Sequence, residues 1–280
     1  MSVVKQTGQA GRFIPKDTHL SMAANSRISI LMYHQVGKFP RMHNHRANYC
    51  DQGRFSRQMD LLARFGYRVL GLDTALACLS GKLNTPPRAL VLTFDDAYDN
   101  FADTAFPILQ HHGFPATIYA ISAWLGRRAE WFSKDPGRDV PSLMSATRLR
   151  EIHAAGMTIG SHTANHVKLG ESDPTVQERE LMDSKAALED VLGAPVRHLC
   201  YPFGSFDRNA VHAAAKAGYV SATTCLRGAA TPADHPLALP RKAISHGDSL
   251  AGFWWKLAVK HRPKPALTEW RRRLADQPRP

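Results

Sequence analysis

Acids are scarce in this chain, with 24 Asp and Glu against 36 Lys and Arg, for a formal net charge of +12 over 280 residues. That deficit favours anionic partners such as phosphates, acidic glycans or a membrane surface. Nucleic acid is set aside, because the chain has no zinc-finger spacing, no RNP aromatic motif and no basic zipper. Cysteine is sparse too. Cys50, Cys78, Cys200 and Cys225 lie far apart and form no C-x-x-C pair, which suits isolated thiols in a reducing compartment better than a disulfide framework. No run approaches the roughly eighteen apolar residues of a transmembrane helix. Residues 1–27 hold no apolar stretch with a small-residue cleavage site after it, so no signal peptide is expected. The expected address is cytoplasmic, with peripheral contact at the inner membrane surface.

What is present alternates. Apolar runs at 28–33, 67–70, 89–95, 115–121, 157–160, 196–201, 219–224 and 237–244 read as strands. Between them, residues 55–65, 74–79, 104–112, 145–155, 174–192 and 208–217 follow helical spacing. Thr104 and Ser145 are placed as N-caps, and Gly66, Gly113, Gly156 and Gly193 as stops. Residues 37–52 show little periodicity and read as a long loop. Strand–helix alternation of this kind argues for an α/β fold, a parallel sheet or a barrel, in a single domain. The division expected is a flexible segment 1–26, a domain 27–262 with its core at 88–246, and a basic C-terminal tail 263–280.

The chemistry gathers at strand ends. The run from Ala89 stops abruptly at Asp95 and Asp96. Adjacent strand residues face opposite ways, so one carboxylate is free for substrate and the other for a metal. Ordinary helix capping is the plain alternative for such a pair. His162 and His166 stand four apart just after a strand, a spacing that puts two imidazoles within reach of one cation. One carboxylate and two histidines make three ligands with a position left for water, the layout of a hydrolytic rather than a structural site. A third feature, Leu199 to Ser205, runs a strand into a Pro/Gly turn that can aim a backbone N–H at developing negative charge.

In this order, Thr93-Phe94-Asp95-Asp96-Ala97, Ser161-His162-Thr163-Ala164-Asn165-His166 and Tyr201-Pro202-Phe203-Gly204 resemble the first three motifs of the polysaccharide deacetylases with a NodB homology domain, carbohydrate esterase family 4. The lead-in at 30–36, the segment 55–72 and Leu239-Pro240-Arg241 resemble one bacterial branch of that family, and the likeness spans roughly 28–255. The resemblance implies a distorted, incomplete (β/α) barrel that removes N-acetyl groups from amino sugars with a divalent metal. It implies Asp95 as catalytic base and Asp96, His162 and His166 as metal ligands. Zinc leads for that donor set, and cobalt, nickel or iron are tolerated by it. Tyr201 and Phe203 are implied as the substrate and oxyanion contacts, with the Phe203 N–H as donor.

Two departures stand out. Ala97 occupies a position where the family usually has Gly, which carries strain if the backbone there is left-handed. Cys200 stands where many members have an Arg that orients the base, and Arg241 is the substitute expected to pair with Asp95 and hold its pKa down. The catalytic acid is expected in His246, with Asp248 to orient it. His34 ends the first strand and reads either as lining the site mouth or as a structural histidine. The substrate implied is an N-acetylated amino sugar in a polysaccharide, oligosaccharide or glycolipid precursor. A non-catalytic, metal-containing carbohydrate- or glycolipid-binding protein is the alternative. The stretch Phe253-Trp254-Trp255-Lys256 and its basic continuation read either as a final packing helix or as a membrane-surface contact.

Overall fold

Five consecutive buried residues form the first strand, β1 (Ser29–Tyr33). The computed structural model describes residues 27–40, 45–132 and 139–280; the segment 1–26, expected to be flexible, lies outside them. Two short strands, β2 (Gln35–Gly37) and β3 (Tyr49–Asp51), pair with each other in parallel beside the main sheet. Then come helix α1 (Gln52–Arg64), β4 (Arg68–Val69), α2 (Leu72–Leu79) and β5 (Ala89–Phe94). The chain continues through α3 (Phe106–His112), β6 (Thr117–Ala120), α4 (Ala146–Ala154), β7 (Thr158–Ser161), α5 (Pro174–Leu192) and β8 (His198–Cys200). It closes with α6 (Arg208–Lys216), β9 (Ser221–Arg227), β10 (Leu239–Ala243), α7 (Leu250–Ala258) and α8 (Pro265–Arg273).

The main strands form a ring of parallel neighbours, β1-β10-β9-β8-β7-β6-β5, which β5 closes by pairing again with β1 from Ser29↔Leu90 to Tyr33↔Phe94. Since β1 takes one whole edge of β5, β4 and β6 share the other, β4 against Ala89 and Leu90 and β6 against Thr93 and Phe94. This is the distorted, incomplete (β/α) barrel that the sequence implied. Alternation along β5 then sorts the side chains. Leu90, Leu92 and Phe94 join the large core under the surrounding helices, and Val91 packs with Tyr119, Cys200 and Leu239 on the barrel interior. The same period carries Thr93 and Asp95 inward. Helix faces follow their sequence spacing: on α1, Phe55, Met59 and Leu62 are buried, and Asp51 caps the helix by accepting from Arg54 N at 3.0 Å.

Three expectations need correction. The 37–52 loop holds β3 and the end of β2, whose three-residue length is too short to show a period. Thr104 caps nothing: it lies inside a π-helical turn, Phe101–Ala105, that runs on into α3, because Phe101 and Ala105 are drawn into the core. The basic tail 263–280 carries α8, which packs through Leu267 and Leu274, sets Trp270 4.3 Å from Phe206, and pairs Arg271 with the buried Asp234 at 2.8 Å. Its arginines mask an apolar stripe at helical spacing. Among the described residues no helix is long and apolar enough to cross a membrane.

Candidate active site

The parallel ring brings the ends of β1, β5, β7, β8 and β10 to one mouth, where ligand sites of barrels are built. Seven described non-glycine residues have left-handed backbone, and five of them are here: Asp96 (φ 70°), Ala97 (φ 54°), Thr163 (φ 64°), His166 (φ 59°) and Phe203 (φ 59°). Such conformations each cost on the order of 1–3 kcal/mol and persist where the surroundings over-determine them. Ala97 therefore stands in the left-handed region that the family's usual Gly would occupy freely. Gly204 has both reasons to be glycine: its φ is 68°, and a Cβ there would sit 2.6 Å from that of Cys225.

Asp96 Oδ1 lies 3.3 Å from His162 Nε2 and 3.3 Å from His166 Nε2, with all three side chains nearly or fully buried. Neither approach has hydrogen-bond alignment, and Asp96 Oδ1 has no hydrogen-bond partner. His162 Nδ1 lies 2.8 Å from Cys200 O. A carbonyl only accepts, so Nδ1 carries the proton and Nε2 presents its lone pair to the carboxylate. Two acceptors facing each other in a buried space call for a cation. Four tetrahedral ligands at zinc bond lengths stand about 3.3 Å apart, the separation of each imidazole from Asp96 Oδ1, so the set can hold one divalent ion with a position to spare.

Asp95, Cys200 and His162 also bring possible ligand atoms together, but a cation is already there. The Arg241 guanidinium, fully buried, holds Asp95 in a fork, Nη1 to Oδ1 at 2.6 Å and Nη2 to Oδ2 at 2.7 Å. It also donates from Nη2 to Cys200 Sγ at 3.1 Å, from Nη1 to Thr93 Oγ1 at 3.1 Å, and from Nε to Thr224 O at 2.9 Å. A metal at Cys200 would meet that charge directly. Burial pushes the Asp95 carboxyl up, the Arg241 guanidinium outweighs it, and the carboxyl is held below its usual value.

The structure therefore brings Asp95, Asp96, His162, His166 and Arg241 into one cluster. Two other residues are not in it as the sequence implied. Among the described residues no hydrogen bond, ion pair or ring contact joins His246 to the cluster. Its N–H donates to Arg46 O at 2.8 Å, its carbonyl accepts from Arg54, and Asp248 is occupied by Ser245 and Lys256. Tyr201 has its donors spent elsewhere: the N–H goes to Thr223 O at 3.1 Å and the hydroxyl to Leu237 O at 3.0 Å. It is an anchor for the turn, not a substrate contact. Phe203, 58% exposed, sets its ring 4.6 Å from His166.

His34, unlike His246, lies beside Asp95. Its Nε2 stands 3.8 Å from Asp95 Oδ2, its side chain is 15% exposed, and its Nδ1 is buried without a partner. Burial lowers its pKa, with Arg241 adding to this and Asp95 and Asp96 opposing it. Two more residues carried no readable signal. Glu180 on α5, 5% exposed, accepts from Asn165 N at 2.8 Å and Asn165 Nδ2 at 2.7 Å, pinning the turn that ends in His166. Trp131 places its ring 4.7 Å from His166.

A family model described as polysaccharide deacetylase matches residues 82–222. The chain is 28% identical over 229 residues to YxkH of Bacillus subtilis, a protein named for the same family, covering 81% of this chain and 75% of that one. It is 26% identical over 170 residues to the poly-beta-1,6-N-acetyl-D-glucosamine N-deacetylase of Staphylococcus epidermidis, covering 58% and 56%. Among solved structures, the Streptococcus pyogenes deacetylase PplD in complex with acetate superposes with a TM-score of 0.72 at 27% identity, over 83% of this chain and 98% of that one.

Proposed function

The chain belongs to the polysaccharide deacetylase family, and from that premise we propose that it hydrolyses N-acetyl groups on an amino-sugar polymer, oligomer or glycolipid precursor, with a divalent metal, zinc first, held by Asp96, His162 and His166. The observation that carries this reading is the lone-pair cluster at 3.3 Å beside a carboxylate locked by a buried guanidinium. A bound divalent ion would supply polarisation of the acetyl carbonyl and a water of lowered pKa.

The chain's own groups do the rest. Arg241 keeps Asp95 ionised and oriented, and each Asp95 oxygen retains a lone pair to take the proton of the attacking water. The water oxygen joins the acetyl carbon. The carbon–nitrogen bond breaks as His34, beside Asp95, gives a proton to the departing amine. The Phe203 N–H, aimed by the left-handed turn, is the donor for the developing oxyanion. Products are acetate and a free amine.

Phe203 and Trp131 flank His166 with two aromatic rings at 4.6 and 4.7 Å, suited to the apolar face of a sugar ring. The likeness to the Staphylococcus epidermidis enzyme supports N-acetylglucosamine in β-1,6 linkage as the first substrate to try. The test is acetate release from such oligomers by zinc-loaded protein, with His34→Gln alongside. Activity in the wild type and a loss of roughly a hundredfold or more in the variant, zinc retained, is expected for a proton donor. Zinc bound without acetate from any N-acetylated sugar would instead favour a carbohydrate-binding protein.

A further inference from the structure

Helix α7 is apolar on the side that it shows to solvent. Phe253 and Leu257 face the core, and its one charged residue, Lys256, turns inward to Ala243 O at 2.7 Å and to the Asp248 carboxylate at 2.5 Å. Every exposed residue of the helix and its C-cap is uncharged and apolar: Leu250, Ala251, Trp254, Trp255, Ala258 and Val259. At 100° per residue these six fall within one half of the helix circumference, the reverse of a helix that meets water. Eight large hydrophobic side chains are exposed among the described residues, and four of them lie on this one helix and its cap. Trp254 is 44% and Trp255 49% exposed.

Charge continues where the apolar face stops. Lys260, Arg262 and Lys264 follow directly, all exposed. With Arg227 and Trp255 they border a cavity of about 640 Å³ on the barrel flank, and no carboxylate lines it. None of these four cations has an acidic partner among the described residues. Indole rings beside unpaired lysines and arginines are the combination that seats a helix at the boundary of acyl chains and anionic headgroups.

We infer that the α7 face and the basic stretch 260–264 form a docking surface for an anionic phospholipid bilayer, with the tryptophans entering the headgroup boundary and the cations meeting lipid phosphates. The inference stands apart from the reaction proposed above and survives if that reaction is wrong.

Co-sedimentation with vesicles of phosphatidylcholine alone and of phosphatidylcholine mixed with phosphatidylglycerol tests it. The full chain should pellet with the mixed vesicles, less so with the neutral ones, and release as salt rises. The double variant Trp254→Ala, Trp255→Ala should lower the bound fraction roughly tenfold, and Lys260→Glu with Arg262→Glu should erase the preference for the anionic vesicles. Both variants change exposed side chains, and an unfolding transition unchanged from the wild type shows that they fold. Wild-type protein that ignores both vesicles at low salt overturns the proposal. So does binding that the double variant leaves intact, or a concentration-dependent dimer that the double variant dissolves, which would give the face to a second copy of the chain.

Discussion

Two histidine-containing sets occupy opposite ends of the barrel, and both look catalytic by residue type. At the strand starts, His198 Nδ1 lies 2.8 Å from Ser221 Oγ and its Nε2 3.6 Å from Asp73 Oδ1, a Ser–His–Asp set. Yet Ser221 is fully buried, both ring nitrogens of His198 have neighbours, and none of the three residues has left-handed backbone. At the strand ends, lone pairs of Asp96 and His162 confront each other, a buried His34 nitrogen is idle, and five residues hold strained backbone. Unsatisfied polar atoms and strain separate the working end from the structural end better than the residue names do.

The comparison breaks most visibly with a single substitution at the mouth. His162→Ala should lose bound zinc and cut acetate release by on the order of a thousandfold or more, measured by metal analysis and acetate assay together. Asp95→Asn should cut turnover by roughly 10²–10⁴ while zinc stays bound; full activity in that variant would remove Asp95 from its role.

Arg241→Gln comes next. Loss of one partner from a buried ion pair costs about 3–5 kcal/mol, readable in denaturant unfolding. The folded pKa of Asp95 lies below its unfolded value. The pair therefore contributes stability above the unfolded pKa, about 3.9, and loses it as pH falls through the folded value. The variant should show a flatter acid dependence, and the acid limb of its rate profile should move to higher pH. His198→Ala is the smallest change: about 1–3 kcal/mol of stability, with zinc content unaltered and turnover nearly so. A loss of zinc there would erase the distinction between the two ends.

The strands and the acid and histidine pairs were legible because each is a local pattern, an apolar run cut short by polar residues. The pairing of Arg241 with Asp95 was legible only through likeness, since 146 residues separate the two. Contacts that depend on how loops close were not legible. Trp131 reaches His166 through a loop tied to the rest by the bridges Arg128↔Ser142 and Tyr98↔Leu143. His34 was read as one of two things, and only closure of β1 against β5 sets it beside Asp95. The π-helical turn at 101–105 hid behind a plausible Thr104 cap, and the stripe of α8 behind its arginines.

Crystals grown with zinc and measured at the zinc absorption edge address the central claim most directly. The account requires one anomalous peak at about 2.0–2.2 Å from Asp96 Oδ1, His162 Nε2 and His166 Nε2. A peak at Asp95, His162 and Cys200, or no peak at this mouth, would contradict it.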